Sequence, residues 1–198
     1  ITAKAVVSNS GITNTIKNLT DKEDYCPEFY AKADKIRVNN SSCQVYLGIR
    51  QGERIDDVGD LLFTSQSPEF DSEELLDMQT KSKTFSIYYT KTRPGSDKYT
   101  IVTSMNSRYD DWATLDEATY QQEKQFLIDR SISDLEKYLP GVLSKIDWAE
   151  AATPKTFNSY TLHTKGTSFG TKFEGLDISR SLSKEVAGLF HVGSVGII

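Results

Sequence analysis

His163 and His191 are the first residues to weigh for acid–base or metal chemistry, because the 198 residues contain no other histidine. Imidazole changes charge near neutral pH and ligates metals, but it needs companions. The two histidines lie in different segments, and no Cys, Asp or Glu stands at a ligand spacing from either, so the sequence predicts no metal site. A Ser-His-Asp triad can be assembled on paper, but no nucleophile elbow of the Gly-x-Ser-x-Gly type is expected. No Walker A loop is present, and no Gly-x-Gly-x-x-Gly follows a strand. This stretch alone is therefore not expected to hold a nucleotide by the usual phosphate-binding turn.

The acidic pairs Asp56-Asp57, Glu73-Glu74 and Asp110-Asp111 fall in polar, turn-rich stretches and read as solvated loops or helix N-terminal charge. Cys26 and Cys43 match no zinc or redox spacing and read as two reduced thiols. Eight aromatics (Tyr46, Phe85, Tyr88, Tyr89, Tyr99, Phe157, Tyr160 and Phe169) fall in segments expected to be extended. Rings on a half-exposed sheet can wall an apolar pocket, or simply fill a core.

Composition narrows the classes. Hydrophobic residues make up 37% and charged residues 26%, as in ordinary folded domains, so a real core is expected. Net charge is −5 with no Lys/Arg stripe, which argues against nucleic acid as a partner. No apolar run reaches the roughly 18 residues of a membrane span.

The elements that must position these residues are short. Strands are expected over 3–7, 43–49, 61–64, 85–89 and 98–104, the last two forming a hairpin around the turn formers 91–97. Helices are expected over 12–19 and 27–36, with a capped turn or two over 72–77. The clearest helix follows Trp112: Thr114 and Glu117 have capping-box spacing, and Ile128, Ile132, Leu135, Leu139, Val142 and Ile146 make one apolar stripe. Pro140 is expected to end it near Tyr138 and to start a short second helix. From Ala151, and over 156–164, the pattern reads as extended. The tally predicts an α+β fold with a mixed, largely antiparallel sheet flanked by helices. The eleven residues 188–198 carry no charge and read as a buried strand running into a glycine turn. Such an end, with a start at Ile1, predicts cut edges of a neighbouring fold.

Three segments in order resemble one family. Ala3-Lys-Ala-Val-Val-Ser-Asn-Ser10 looks like the strand and turn by which phytoene desaturase-type flavoproteins leave their FAD domain. Ala152-Thr-Pro-Lys-Thr-Phe-Asn-Ser-Tyr160, with Gly166-Thr-Ser-Phe-Gly170, is similar to the signature near that family's flavin site. Gly188-Leu-Phe-His-Val-Gly193 resembles the late strand that re-enters the FAD domain. The family includes phytoene desaturases, carotenoid isomerases and retinol saturases. The resemblance implies the substrate-binding domain of an FAD-dependent oxidoreductase, divided as 1–10 (end of the FAD-domain strand), 11–187 (substrate domain) and 188–198 (start of the return). Its partners would be a hydrophobic isoprenoid substrate and an FAD-binding domain of the same chain, so that the stretch alone is inactive and binds no FAD. The location it implies is cytoplasmic, with peripheral membrane contact allowed. Gly193 and Ser194 would touch the cofactor, and Tyr160, Gly166, Phe169 and Gly170 the substrate. Many relatives carry an acid where Ser194 stands, so the usual acidic flavin contact is absent. Two other readings stand beside this one: a stand-alone module for a hydrophobic ligand, and a part of an amine-oxidase-like flavoprotein.

Overall fold

The computed structural model describes residues 2–93 and 97–196, so the tip of the 91–97 turn, Ile1 and Ile198 lie outside the described residues. The chain divides into two compact units, one of residues 2–41 with 155–196 and one of residues 42–154.

The first unit begins with β1 (Val6–Ser8), α1 (Ile12–Asn18) and α2 (Pro27–Ala33). Proline at the first turn suits α2, since its missing N–H would have no helical partner there, and the Cys26 thiol accepts the Phe29 N–H. The chain returns to this unit through α5 (Pro154–Thr161), α6 (Phe173–Glu185) and β7 (Leu189–His191). β1 and β7 pair in parallel, Val6 opposite Leu189 and Ser8 opposite His191. The expected segments at the two ends of the chain thus form one small sheet. α6 packs on α1, α2 and β7. Its buried Gly175, Ile178 and Leu182 recur at helical spacing, and Ile178 and Leu182 join Ile12, Ile16, Tyr25, Phe29 and Leu189 in one core.

The second unit is a five-stranded antiparallel sheet in the order β3-β4-β5-β2-β6. Its strands are β2 (Ser41–Ile49), β3 (Leu61–Ser65), β4 (Ser82–Tyr88), β5 (Thr100–Ser107) and β6 (Ile146–Ala152). The α+β class and the β4–β5 hairpin match the sequence reading. Strict alternation along β2 and β4 buries one face, with Val45, Leu47, Phe85, Ile87 and Ile101 at its centre. That face is covered by α4 (Glu117–Glu136), which follows the short α3 (Tyr109–Ala113).

Several expectations are corrected. Residues 154–161 are helical, not extended: Pro154 opens α5, and neither glycine nor a β-branched run follows to break it. Phe157 and Tyr160 are therefore helical, not sheet, aromatics. α6 is absent from the sequence reading, because its glycine and three serines weaken the helical signal that its apolar spacing carries. The cap of α4 is Asp116, whose carboxylate accepts the Thr119 N–H at 3.0 Å, while Thr114 terminates α3. An ionised acceptor beside the first helical turn outcompetes a hydroxyl two residues earlier. Pro140 leads into a turn instead of a helix. The expected apolar residues face the core, Leu135, Leu139 and Val142 buried and Ile128, Ile132 and Ile146 packed against it, and α4 also buries Tyr120, Leu127, Ser131 and Asp134.

Asp134 is the costly one among them. It meets Lys83, an inward position of β4, in an ion pair whose side chains are 9% and 1% exposed. Burial pushes the Asp134 carboxyl up, but bonds from Lys83, Lys137 and Gln66 outweigh it and hold its pKa at about 2. Burial pulls the Lys83 ammonium below its ordinary value despite that carboxylate. The ionised carboxylate, with three donors, is the form the fold selects. Trp112 and Trp148 both lie in this unit, so tryptophan fluorescence reports its unfolding alone. Lys83→Met is expected to cost about 3 kcal/mol in urea titration, because it leaves a buried charge short of its partner. A folded-state pKa below the ordinary 3.8 means the contribution is complete above about pH 4 and is lost as pH falls toward 2. Asp134→Asn is expected to remove roughly 2 kcal/mol of that acid sensitivity.

Candidate functional site

Parts of the three segments singled out in the sequence line one cleft of about 270 Å³ in the first unit: Asn9 and Ser10 of the first, Thr167 and Gly170 of the second, and His191 and Gly193 of the third, while 152–160 does not reach it. One wall is the turn between β1 and α1, with Asn9, Ser10, Gly11, Thr13 and Asn14. The second is the loop between α5 and α6, with His163, Thr164, Thr167, Gly170 and Thr171. The third follows β7, with His191, Gly193 and Ser194. The lining has hydroxyls, amides and two imidazoles, but no Asp, Glu, Lys or Arg. Such a surface offers many neutral hydrogen-bonding groups and no fixed charge.

The turn after β1 is tied down by its own side chains. Ser8 Oγ and Thr15 Oγ1 are bonded at 2.8 Å, the Asn14 amide donates to Ser10 Oγ at 2.6 Å, and Thr15 N–H donates to the Gly11 carbonyl. His191 fastens it from the other side. Its Nε2 lies 2.8 Å from the Ser10 carbonyl, an acceptor only, so Nε2 carries the proton. Nδ1 then accepts from Ser179 Oγ on α6 at 2.9 Å. One imidazole thus joins β7, α6 and the β1–α1 turn. Burial lowers the His191 pKa below its ordinary value, against the bond to Ser10.

The remaining walls cross at close range. Thr171 bridges to Val38 on one side and to Val195 on the other, and the Gly196 N–H donates to the Thr171 carbonyl at 3.0 Å. Asn39 donates through its side chain to the Phe169 and Thr171 carbonyls. At Gly170, φ is +68° and a Cβ would stand 1.6 Å from the Ser194 carbonyl oxygen. At Gly193, φ is +126° and a Cβ would stand 2.9 Å from Asn9 Oδ1. Both glycines are set by space as well as by backbone angle.

The sequence-derived residues separate here. Gly170, Gly193 and Ser194 come together on the cleft. Gly166 is buried, its carbonyl accepting from Ser41 Oγ at 2.5 Å. Tyr160 and Phe169 face solvent and do not line the cleft. His163 and His191, unrelated in sequence, share it, and no spacing rule would have joined them. Asn9 and Ser10 read in the sequence only as part of a turn and helix cap, Ser8-Asn-Ser-Gly11, and Thr13 and Asn14 only as members of the helix expected over 12–19. Gly166-Thr-Ser-Phe-Gly170 spells a Gly-x-Ser-x-Gly pattern, but it follows a 3-10 turn instead of a strand and so lacks the elbow that exposes a nucleophile. Cys43 is buried, and burial raises its thiol to about 12, which leaves it inert. Among the described residues, no group of three or more His, Cys, Asp or Glu is placed to hold a metal ion.

The second unit holds a different surface. The uncovered face of its sheet carries Leu61, Phe63, Tyr88, Tyr46 and Trp148. Phe85 and Tyr89, expected with them, are core residues instead. No helix among the described residues is long and apolar enough to cross a membrane. The chain matches no protein-family model, and no curated protein matches it.

Gly170→Ala is expected to lower the stability of the first unit by about 3 kcal/mol or more, against about 1 kcal/mol for Gly59→Ala in the second. Gly59 has φ +99° but open space around it, so only backbone strain is added there. Thermal melts followed by circular dichroism make the comparison. The pH dependence of His191 has a defined sign. Its pKa is depressed in the fold, so its contribution is complete above the ordinary value of 6.5 and declines as pH falls below it. Melting temperatures at pH 7.5 and pH 5.5 should differ less in His191→Gln than in the parent.

Proposed function

We propose that this chain is the substrate-binding part of an FAD-dependent oxidoreductase acting on carbon–carbon bonds of a carotenoid, retinoid or related isoprenoid. The observation that carries this reading is convergence. Parts of three segments far apart in sequence, which resemble the strand that leaves the FAD domain, the signature near the flavin and the strand that re-enters the FAD domain in phytoene desaturase-type enzymes, line one cleft.

The cleft suits part of the cofactor, not all of it. Its volume of about 270 Å³ falls just below the roughly 300–1,000 Å³ usual for a whole ligand. Its neutral donors and acceptors, and the tight approach at Gly193 and Asn9, suit a polyol or ring edge laid against backbone. The remainder of the dinucleotide would be held by a glycine-rich domain, which this stretch lacks. The parallel β1–β7 pair supports the same reading. Parallel strands are normally covered on both faces, whereas Val6, Val7, Phe190 and Val192 are exposed here. The flavin, when bound, supplies the hydride chemistry. The chain's own contribution is to seat and orient: His191 holds the β1–α1 turn and Gly170 admits the close crossing.

The test is flavin content and turnover of the protein made from its complete reading frame. It should purify with FAD at one per chain, and a bound polyene should perturb the flavin absorption band. A complete reading frame with no Gly-x-Gly-x-x-Gly ahead of Ile1, and a product without flavin, would overturn the proposal.

A further inference from the structure

Two backbone outliers bracket one residue of the cleft wall. Among the described residues, Leu162 and Lys165 are the ones other than glycine that take a left-handed backbone, with φ +57° and +54°. That conformation strains a residue carrying a Cβ, and such strain gathers where ligands are held. Between them stands His163, half-buried and lining the cleft. Its backbone is fixed on both sides. The His163 N–H donates to Thr161 Oγ1 at 3.2 Å, and the His163 carbonyl accepts the Gly166 N–H at 2.9 Å.

The ring's surroundings define its tautomer. Nδ1 lies 3.4 Å from the Thr167 carbonyl, which can only accept, so Nδ1 carries the proton. Nε2 is then a bare lone pair, with no hydrogen-bond partner among the described residues. The Cδ2–Nε2 edge is turned across the cleft to the β1–α1 turn, where a Cβ at Gly11 would meet His163 Cδ2 at 3.6 Å. The other imidazole is spent, since both nitrogens of His191 are engaged. The hydroxyls of Thr13, Thr164 and Ser194 and the amide of Asn9 can donate or accept as a ligand requires. Nε2 of His163 is thus the free side-chain group of the cleft that can only accept.

We infer that His163 is a binding residue of this cleft and takes a hydrogen bond at Nε2 from an N–H or O–H of the bound cofactor. The inference rests on the flavin reading and gives that site a residue that discriminates. FAD offers donors of both kinds, a ring N–H and the ribityl hydroxyls. A ligand atom that could only accept would be rejected, because it would meet the lone pair and leave both groups unpaired. A metal ion does not suit the position, since no Cys, Asp or Glu lines the cleft beside this imidazole.

FAD affinity tests the inference in the protein made from its complete reading frame, stripped of flavin and titrated by flavin fluorescence. His163→Asn places a donor near the position of Nδ1 and keeps the bond to the Thr167 carbonyl, but has nothing at Nε2. His163→Gln does the reverse and places an amide oxygen near Nε2. The Asn form should bind FAD about tenfold more weakly than the parent, the loss expected for one hydrogen bond, and the Gln form should stay within about threefold. Equal melting temperatures of the Asn form and the parent would place the loss in binding. A residue that merely braces the loop would give the opposite order. FAD methylated at the ring N–H separates the two donors. If that N–H is the donor, methylation weakens the parent and spares the Asn form; if a ribityl hydroxyl is, methylation changes both by the same factor, and either pattern beside the Asn loss supports the inference. An Asn form that binds as tightly as the parent, or a Gln form that is the weaker of the two, overturns the inference and leaves the oxidoreductase proposal standing. A parent that takes up no FAD overturns both.

Discussion

The first unit depends on one close approach. The backbone at Gly170 lies against the Ser194 carbonyl with no room for a Cβ. That approach lets Thr171 bridge Val38 and Val195 at once and lets Gly196 return a hydrogen bond. Without it, the loop between α5 and α6 could not meet the segment after β7, and the cleft would lose a wall. Nearby polar groups are spent on holding these walls: Asn39 on two carbonyls, His191 on Ser10 and Ser179. Fixing loops by buried hydrogen bonds gives a site its geometry without relying on the flexible loops themselves.

The second unit solves a different problem. One face of its sheet is buried under α4, and an ion pair is buried with it. Apolar residues of similar volume would serve stability as well or better. Lys83 and Asp134, joined by Gln66 and Lys137, link α4 to β4 and to the segment after β3. The opposite face keeps half-buried tyrosines and exposed Phe63 and Trp148. The sheet is thus closed on one side and aromatic on the other.

The legible elements were those whose signals were local. Alternation in β2, β4 and β5 and the proline start of α2 could be read because a neighbour two or three residues away decides them. α5 was misread because aromatic and β-branched residues suggested strand while Pro154 set a helix. α6 was overlooked because serines diluted its period. The Asp134 position was unreadable: an acid in an apolar stripe gives no sign that a lysine on a strand some fifty residues earlier will meet it. The cleft was half legible. Its three segments could be singled out by resemblance, but the pairing of His163 with His191, and the exposure of Tyr160 and Phe169, are products of tertiary structure alone.

The central claim is that the three walls of the cleft touch one flavin. Hydrogen–deuterium exchange on the protein from its complete reading frame, compared with and without FAD, addresses it directly. The account predicts joint protection of peptides covering 8–14, 163–171 and 191–195, with residues 61–65 and 143–148 unchanged. Protection missing from any one of the three, or confined to the second unit, would contradict it.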